Sequence, residues 1–226
     1  LTIDGGGYDV LFDGEGATDS GLYVTAANVT ITGISVTGKG NAFHVPWTGH
    51  GGTPTGTGVV FESCTAYGNA AQGFVLERGM NTVRNCVAHD NGWKGIGVNP
   101  DQAAIDTDGC VIEENVVYNH TGNWEIWGIV VTNSSDVVIR NNYLWNNVTN
   151  IWITSDGDAL SPPTGIVVEG NVMGFDTEGT SYPFRTGNGI VVGGGVQECI
   201  IGGFGAGKPN LIAQAWDGVW IADDAT

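Results

Sequence analysis

The sequence predicts an all-β solenoid: a chain wound into about eight coils, each of three short strands, with loops inserted at chosen corners. Three observations predict it. The first is a four-residue phrase, small–apolar–any–apolar, that recurs as Gly21-Leu22-Tyr23-Val24, Ala42-Phe43-His44-Val45, Gly73-Phe74-Val75-Leu76, Gly95-Ile96-Gly97-Val98, Gly128-Ile129-Val130-Val131, Asn150-Ile151-Trp152-Ile153, Gly189-Ile190-Val191-Val192 and Gly218-Val219-Trp220-Ile221. The starts lie 21, 31, 22, 33, 22, 39 and 29 residues apart, a minimal period near 22 lengthened by insertions. The second is a triplet ahead of each later phrase, with its first and third residues suited to the inside: Val29-Thr30-Ile31, Val59-Val60-Phe61, Asn81-Thr82-Val83, Cys110-Val111-Ile112, Val137-Val138-Ile139, Ile166-Val167-Val168 and Cys199-Ile200-Ile201. The third is a turn position three residues past each triplet, held by Ile34, Cys64, Cys86, Asn115, Asn142 and Asn171, and by Asn210 after a glycine-rich insertion.

Each element follows from these registers. Apolar residues at alternate positions define a short strand with one face buried. A further strand comes directly after the turn position, with Val36, Ala66, Ala88, Val117, Leu144, Met173 and Ile212 inward. Three strands at three corners of every coil are the plan of a parallel β-helix. Stacked Asn side chains at one corner can bond to their counterparts above and below and cap the turn backbone, which makes a buried amide stabilising there.

Along the chain, Leu1 to Asp13 reads as an incomplete opening coil, with Thr2-Ile3 as strand and Asp4-Gly5-Gly6-Gly7 as turn. Residues 14–45 supply the first two strands of the repeated phrase. Pro46 to Gly58 is a loop, and residues 58–98 form compact coils near the minimal period. Asn99 to Gly109 is a second loop from the same corner, Asn119 to Trp127 a third from another corner, Thr154 to Thr164 a fourth from the first corner, and residues 174–188 a fifth excursion. Long insertions at chosen corners of a repeat protein build its working face. No linker or helix-period stretch divides the chain, so residues 1–226 read as one β-helix domain. It begins and stops next to strands, which reads as a segment of a larger protein or a unit that associates end to end through uncapped edges.

The run Val137-Val138-Ile139-Arg140-Asn141-Asn142-Tyr143-Leu144-Trp145-Asn146-Asn147 resembles the right-handed parallel β-helix repeat of pectate-lyase-like and copper-periplasmic (NosD-like) proteins. The stretch from Cys199 to Gly207, continued by Asn210-Leu211-Ile212 and Asp217-Gly218-Val219, is similar to repeats in large secreted bacterial surface proteins. The resemblance covers nearly the whole chain. It implies the right-handed fold and an extracellular or cell-surface location, but no single activity, since the superfamily holds lyases, glycosidases, epimerases, adhesins and tailspikes.

A formal charge of −17, from 24 acidic against 7 basic residues, argues against nucleic acid as partner and repels an acidic polysaccharide unless cations bridge the two. No apolar run is long enough to insert in a membrane. Cys64 and Cys86 share a turn position on adjacent coils about 5 Å apart, so a disulfide and two stacked thiols are both open. Cys110 and Cys199 lie three coils apart and read as packed thiols.

Three constellations bear on chemistry. An outward row, Thr32, Glu62, Arg84, Glu113, Arg140 and Glu169, alternates in sign from Glu62 on and reads as a structural ladder of cross-strand pairs. Tyr67, His89, Tyr118 and Trp145 occupy equivalent outward positions on four coils, and Tyr23, His44, Trp152 and Trp220 are outward in the repeated phrase. With Trp124 of the third loop these rings suit sugar faces, though aromatic stacking between strands serves stability equally well. Asp106, Asp108, Asp156 and Asp158 leave one corner two coils apart, roughly 10 Å by strand spacing, so they suit a shared calcium ion, an acid pair, or turns that bond their own backbone.

The expected function is therefore a β-helix module that binds, and in an enzymatic version cleaves or epimerises, an extended polysaccharide. A lyase needs a base beside a cation, and His89 with Lys94, near Asp101, is the best-placed set, although no family motif transfers onto it. The alternative is a non-catalytic stalk, adhesin segment or filament subunit.

Overall fold

The computed structural model describes residues 1–7, 10–47, 56–98, 107–120, 126–155, 162–181, 187–203 and 208–222. These residues form three parallel eight-stranded sheets and, among them, no helix. Sheet A stacks Thr2–Asp4, Thr30–Thr32, Val60–Glu62, Thr82–Arg84, Val111–Glu113, Val138–Arg140, Val167–Glu169 and Ile200–Ile201 in chain order. Sheet B stacks Val10–Asp13, Ile34–Thr37, Thr65–Tyr67, Val87–His89, Val116–Tyr118, Tyr143–Trp145, Val172–Met173 and Leu211–Ile212. Sheet C stacks Leu22–Tyr23, Phe43–Val45, Phe74–Leu76, Lys94–Val98, Trp127–Thr132, Thr149–Thr154, Asn188–Val192 and Val219–Ile221, the repeated phrase. Each coil visits A, B and C once, the parallel β-helix that the sequence predicts. The opening segment differs in one respect: it carries a second strand, Val10–Asp13, paired with Ile34–Thr37, where only a strand and a turn were expected.

Register follows the inward positions. Ile31 pairs with Phe61, Phe61 with Val83, Val83 with Ile112 and Ile112 with Ile139, all with no exposed surface. Phe43 and Phe74 stack at 4.7 Å with planes 5° apart, and Phe61 tilts against both. The small residue that opens the repeated phrase has a steric cause. A Cβ at Gly95 would lie 2.6 Å from the Gly128 carbonyl, and one at Gly128 would lie 2.7 Å from the Asn150 carbonyl, so side chains there collide with the next coil.

Two corners share one device. The bend from A to B is made by a single residue with positive φ per coil, Ser63, Asn85, Glu114 and Asn141 among them, and the bend from B to C by Asp90, Asn119 and Asn146. The residue after each of these bends turns inward and satisfies the backbone left open, whereas Ile34, after the Gly33 bend, only packs. At the A–B corner Asn142 Oδ1 accepts from Asn115 N at 2.9 Å, while Asn142 Nδ2 donates to the Ile112 carbonyl at 3.0 Å. Asn171 and Asn210 repeat the pattern. Cys64 and Cys86 are thiols and do the same work with sulfur: Cys86 Sγ receives Cys64 N–H at 3.4 Å and donates to the Phe61 carbonyl at 3.5 Å. Burial pushes the Cys86 thiol well up from its usual pKa, which keeps it protonated and able to donate.

At the B–C corner the column runs Asn69, Asn91, His120 and Asn147. His120 is fully buried, its Nδ1 receives Asn91 N–H at 3.2 Å, and its Nε2 has no partner among the described residues. Burial lowers its pKa from 6.5 to about 4. Below pH about 6.5 the unfolded chain takes up a proton that the folded chain refuses, so stability present at neutral pH is lost progressively down to pH about 4, by about 3 kcal/mol in all. Urea midpoints measured across that window will fall more steeply for the native protein than for His120→Asn. In the other column, Asn142→Leu strands the Asn115 N–H and the Ile112 carbonyl, and equilibrium unfolding will show a loss of about 2–5 kcal/mol, whereas Cys86→Asn will be close to neutral.

Candidate functional site

The outward faces of the three sheets carry different side chains. On sheet A the charge row forms as predicted, with Arg84 Nε 3.0 Å from Glu62 and Arg140 Nη2 2.6 Å from Glu113, and Lys208, outside the predicted row, adds a pair with Nζ 4.0 Å from Glu169. These exposed pairs occupy Arg84 and Arg140 in structural work, and pairs of this kind contribute about 0–1 kcal/mol each.

On sheet B the four rings stack in order. Tyr67 to His89 is 5.3 Å between centroids with planes 5° apart, His89 to Tyr118 4.9 Å at 3°, and Tyr118 to Trp145 4.5 Å at 5°. The faces of the inner rings are therefore covered by one another and only edges point outward, an arrangement that stabilises the sheet but offers little ring face to a sugar. His89 Nδ1 also bonds Asp90 at 2.6 Å. A concavity of about 430 Å³ lies further along this sheet between Tyr143, Val172, Leu211 and the excursion beginning at Phe175. Its Asp176 carboxylate is engaged by the Glu178 and Thr180 backbone N–H groups of its own turn.

Sheet C is different. His44, outward in the second phrase, donates from Nε2 to Glu77 Oε2 at 2.9 Å, and its Nδ1 lies 3.1 Å from the Ser20 hydroxyl. The side chains of His44 and Glu77 are 15% and 8% exposed, and the same Glu77 oxygen receives Trp47 N–H at 3.0 Å. Tyr23 packs edge-on to the His44 ring at 5.1 Å, and partial burial followed by the charge of Glu77 pushes its phenol pKa up from 10.0. Arg78, next along the chain, donates from Nη2 to the Trp47 carbonyl. A buried carboxylate fixes one ring nitrogen of an imidazole, and the other meets a hydroxyl: this is a chain for moving a proton.

Three to six strands along the same sheet, beginning roughly 14 Å away at about 4.8 Å per strand, lies a groove of about 230 Å³ lined by Trp127, Trp152, Trp220, Thr149 and Asn188. Trp127 and Trp152 meet edge to face at 4.4 Å, and Trp220 is half exposed. Between the two features stands Lys94, 3% exposed, with Nζ 4.2 Å from the centre of the Trp93 ring and 5.5 Å from that of Trp127.

The sequence-based set is thus spread over two faces. His89 is on sheet B and Lys94 on sheet C, and Asp101 lies outside the described residues, as do Trp124, Asp106, Asp156 and Asp158. Asp108 is described; its carboxylate accepts Ser135 N–H at 2.6 Å, a backbone role. Among the described residues no group of three His, Cys, Asp or Glu could hold a metal ion, and no helix is long and apolar enough to cross a membrane. Sequence reasoning placed Tyr23, His44, Trp152 and Trp220 outward but missed Ser20 and Glu77. The available signal was position: Ser20 directly precedes one phrase and Glu77 directly follows another, so stacking sets both beside His44.

The model of the "right handed beta helix region" matches residues 6–126, more than half of the 226. The chain belongs to the right-handed β-helix family. Among curated proteins, none matches this right-handed β-helix in sequence. Among solved structures it is similar to the A-module of the Azotobacter vinelandii mannuronan C-5 epimerase AlgE4, with a TM-score of 0.60, 17% identity, and coverage of 87% of this chain and 56% of that one. It is also similar to XylC in complex with xylose, with a TM-score of 0.53, 13% identity, and coverage of 77% and 32%. The chain therefore spans about half of the epimerase module and about a third of XylC, and at these identities the likeness is one of fold.

The sheet B column has a measurable consequence. Tyr118→Ala removes two stacked contacts of about 0.5–1.5 kcal/mol each, and chemical denaturation will register a loss of about 2 kcal/mol or more.

Proposed function

We propose that this β-helix binds an extended polysaccharide along the outer face of sheet C. The observation that carries the reading is the groove between Trp127, Trp152 and Trp220, which lies on the same face as the His44–Glu77 pair. Indole rings suit the apolar faces of pyranose rings, while Thr149 and Asn188 at the groove suit their hydroxyls. Parallel strands give an extended polymer a straight track from the groove toward His44. The neighbours support a carbohydrate partner at a coarse level: one is by name an epimerase of mannuronan, the other was solved with xylose.

In this reading an acidic polymer needs a counter-cation against the −17 charge. Calcium held by the loops of Asp106, Asp108, Asp156 and Asp158 would supply it, and a secreted or cell-surface location goes with such a partner. The catalytic centre, if the polymer is altered and not only held, is at His44 in preference to His89. The His44 imidazole is fixed on one side by a buried acid and meets a hydroxyl on the other, whereas the His89 ring is enclosed by Tyr67 and Tyr118.

Titration of the purified chain with neutral and uronic acid polysaccharides, with and without calcium, tests the reading by calorimetry and tryptophan fluorescence. Saturable binding is expected, calcium-dependent for acidic polymers alone. Trp152→Ala and Trp220→Ala will each weaken it about tenfold, the equivalent of about 1.4 kcal/mol, at unchanged urea midpoint for Trp220→Ala. Binding to no polymer, or binding indifferent to both substitutions, defeats it.

A further inference from the structure

The Ser20–His44–Glu77 chain is more specific than a proton path. It spans three successive coils: Ser20 stands before the first phrase, His44 is the outward residue of the second, and Glu77 follows the third. Glu77, 6% exposed, accepts from both His44 Nε2 and Trp47 N. An ionised carboxylate only accepts, so Nε2 carries the ring proton. In the neutral ring Nδ1 is then the acceptor, and the hydroxyl that donates to it, at 3.1 Å, is that of Ser20. A hydroxyl, a neutral imidazole and a buried carboxylate in that order have the nucleophile, base and orienting roles of an acyl-transfer centre, whichever ring nitrogen faces the serine.

We propose that Ser20 is a nucleophile, with His44 as its general base and Glu77 as the positioning carboxylate, for hydrolysis of carboxylic esters such as acyl groups on sugar hydroxyls. The carrier of the ester rests on the polysaccharide reading above; the chemistry does not. Ser20 Oγ bonds to the ester carbonyl carbon as its proton passes to His44 Nδ1. The bond from that carbon to the sugar oxygen then breaks, and His44 returns the proton to the departing oxygen. Water attacks the acyl-serine, giving one proton to His44, which passes it to Ser20 Oγ as the carboxylic acid leaves. Ester and water become alcohol and acid, with no other co-reactant. Esters fit the site better than amides, because a departing sugar hydroxyl demands less acid assistance than an amine.

The test uses the intact chain with p-nitrophenyl acetate and a fluorophosphonate probe. Expected are probe attachment mapped to Ser20 by peptide mass spectrometry and turnover that drops at least tenfold in Ser20→Ala and in Glu77→Gln. Ser35→Ala, on the outer face of sheet B, keeps full turnover and labelling. Ser20→Ala removes one oxygen from a half-exposed position, and its urea midpoint confirms that it folds; should Glu77→Gln fail to fold, the probe on the native chain still decides. An unlabelled Ser20, or turnover equal in native and Ser20→Ala proteins, overturns the proposal. Polysaccharide binding is measured on the same variants. Binding retained without turnover leaves the polysaccharide reading standing and removes this one, and turnover retained without polymer binding does the reverse.

Discussion

The structure depends on the satisfaction of backbone groups at two corners of every coil. Parallel strands pair along their length without help, but a bend in the chain exposes N–H and carbonyl groups inside a sealed solenoid, where water cannot reach them. Each unpaired group of this kind costs about 1–3 kcal/mol, and seven or eight coils multiply the cost. One left-handed residue per corner, followed in most coils by an inward side chain that both accepts and donates, answers it; at the first A–B corner the buried Ile34 follows Gly33 instead and only packs. Asn does this best. That Cys64 and Cys86 fill two of the positions with longer contacts, at 3.4 and 3.5 Å, shows that donor and acceptor capacity matters at the corner more than the amide itself.

With the corners settled, the outward faces are free to differ, and they do. Sheet A carries opposite charges over one another, sheet B carries rings that cover one another, and sheet C leaves its polar and aromatic groups facing solvent or each other across coils. The net charge of the chain hides this division. Arg84, Arg140 and Lys208 are occupied on sheet A, while Arg78 and Lys94 stand on or beside sheet C.

Most of the fold was legible because a solenoid turns sequence spacing into spatial adjacency. The inward registers, the Asn column through the insertion to Asn210, the Glu62–Arg84 and Glu113–Arg140 pairs and the order of the ring column all follow from aligning repeats. The second strand of the opening coil escaped because Val10-Leu11-Phe12-Asp13 lies outside the repeated triplets. The His44 cluster escaped for another reason. Its three members hold three different positions in the repeat and belong to three coils of unequal length, so no single register contains them. His89 and Lys94 looked close in sequence, yet a corner of the coil separates them onto different sheets. The sequence left Cys64 and Cys86 open between a bond and a stacked pair, and the corner's need for a donor favours the thiols.

The corner columns also have a direction. Asn142 completes the coil of Asn115, Asn171 completes that of Asn142, and Asn210 that of Asn171: the acceptor for each bend always comes from the coil that follows. A ribosome releases this chain from the other end. Each newly emerged coil therefore waits, with its bend unsealed, until roughly another two to four dozen residues have been synthesised, and the solenoid closes one step behind its own translation.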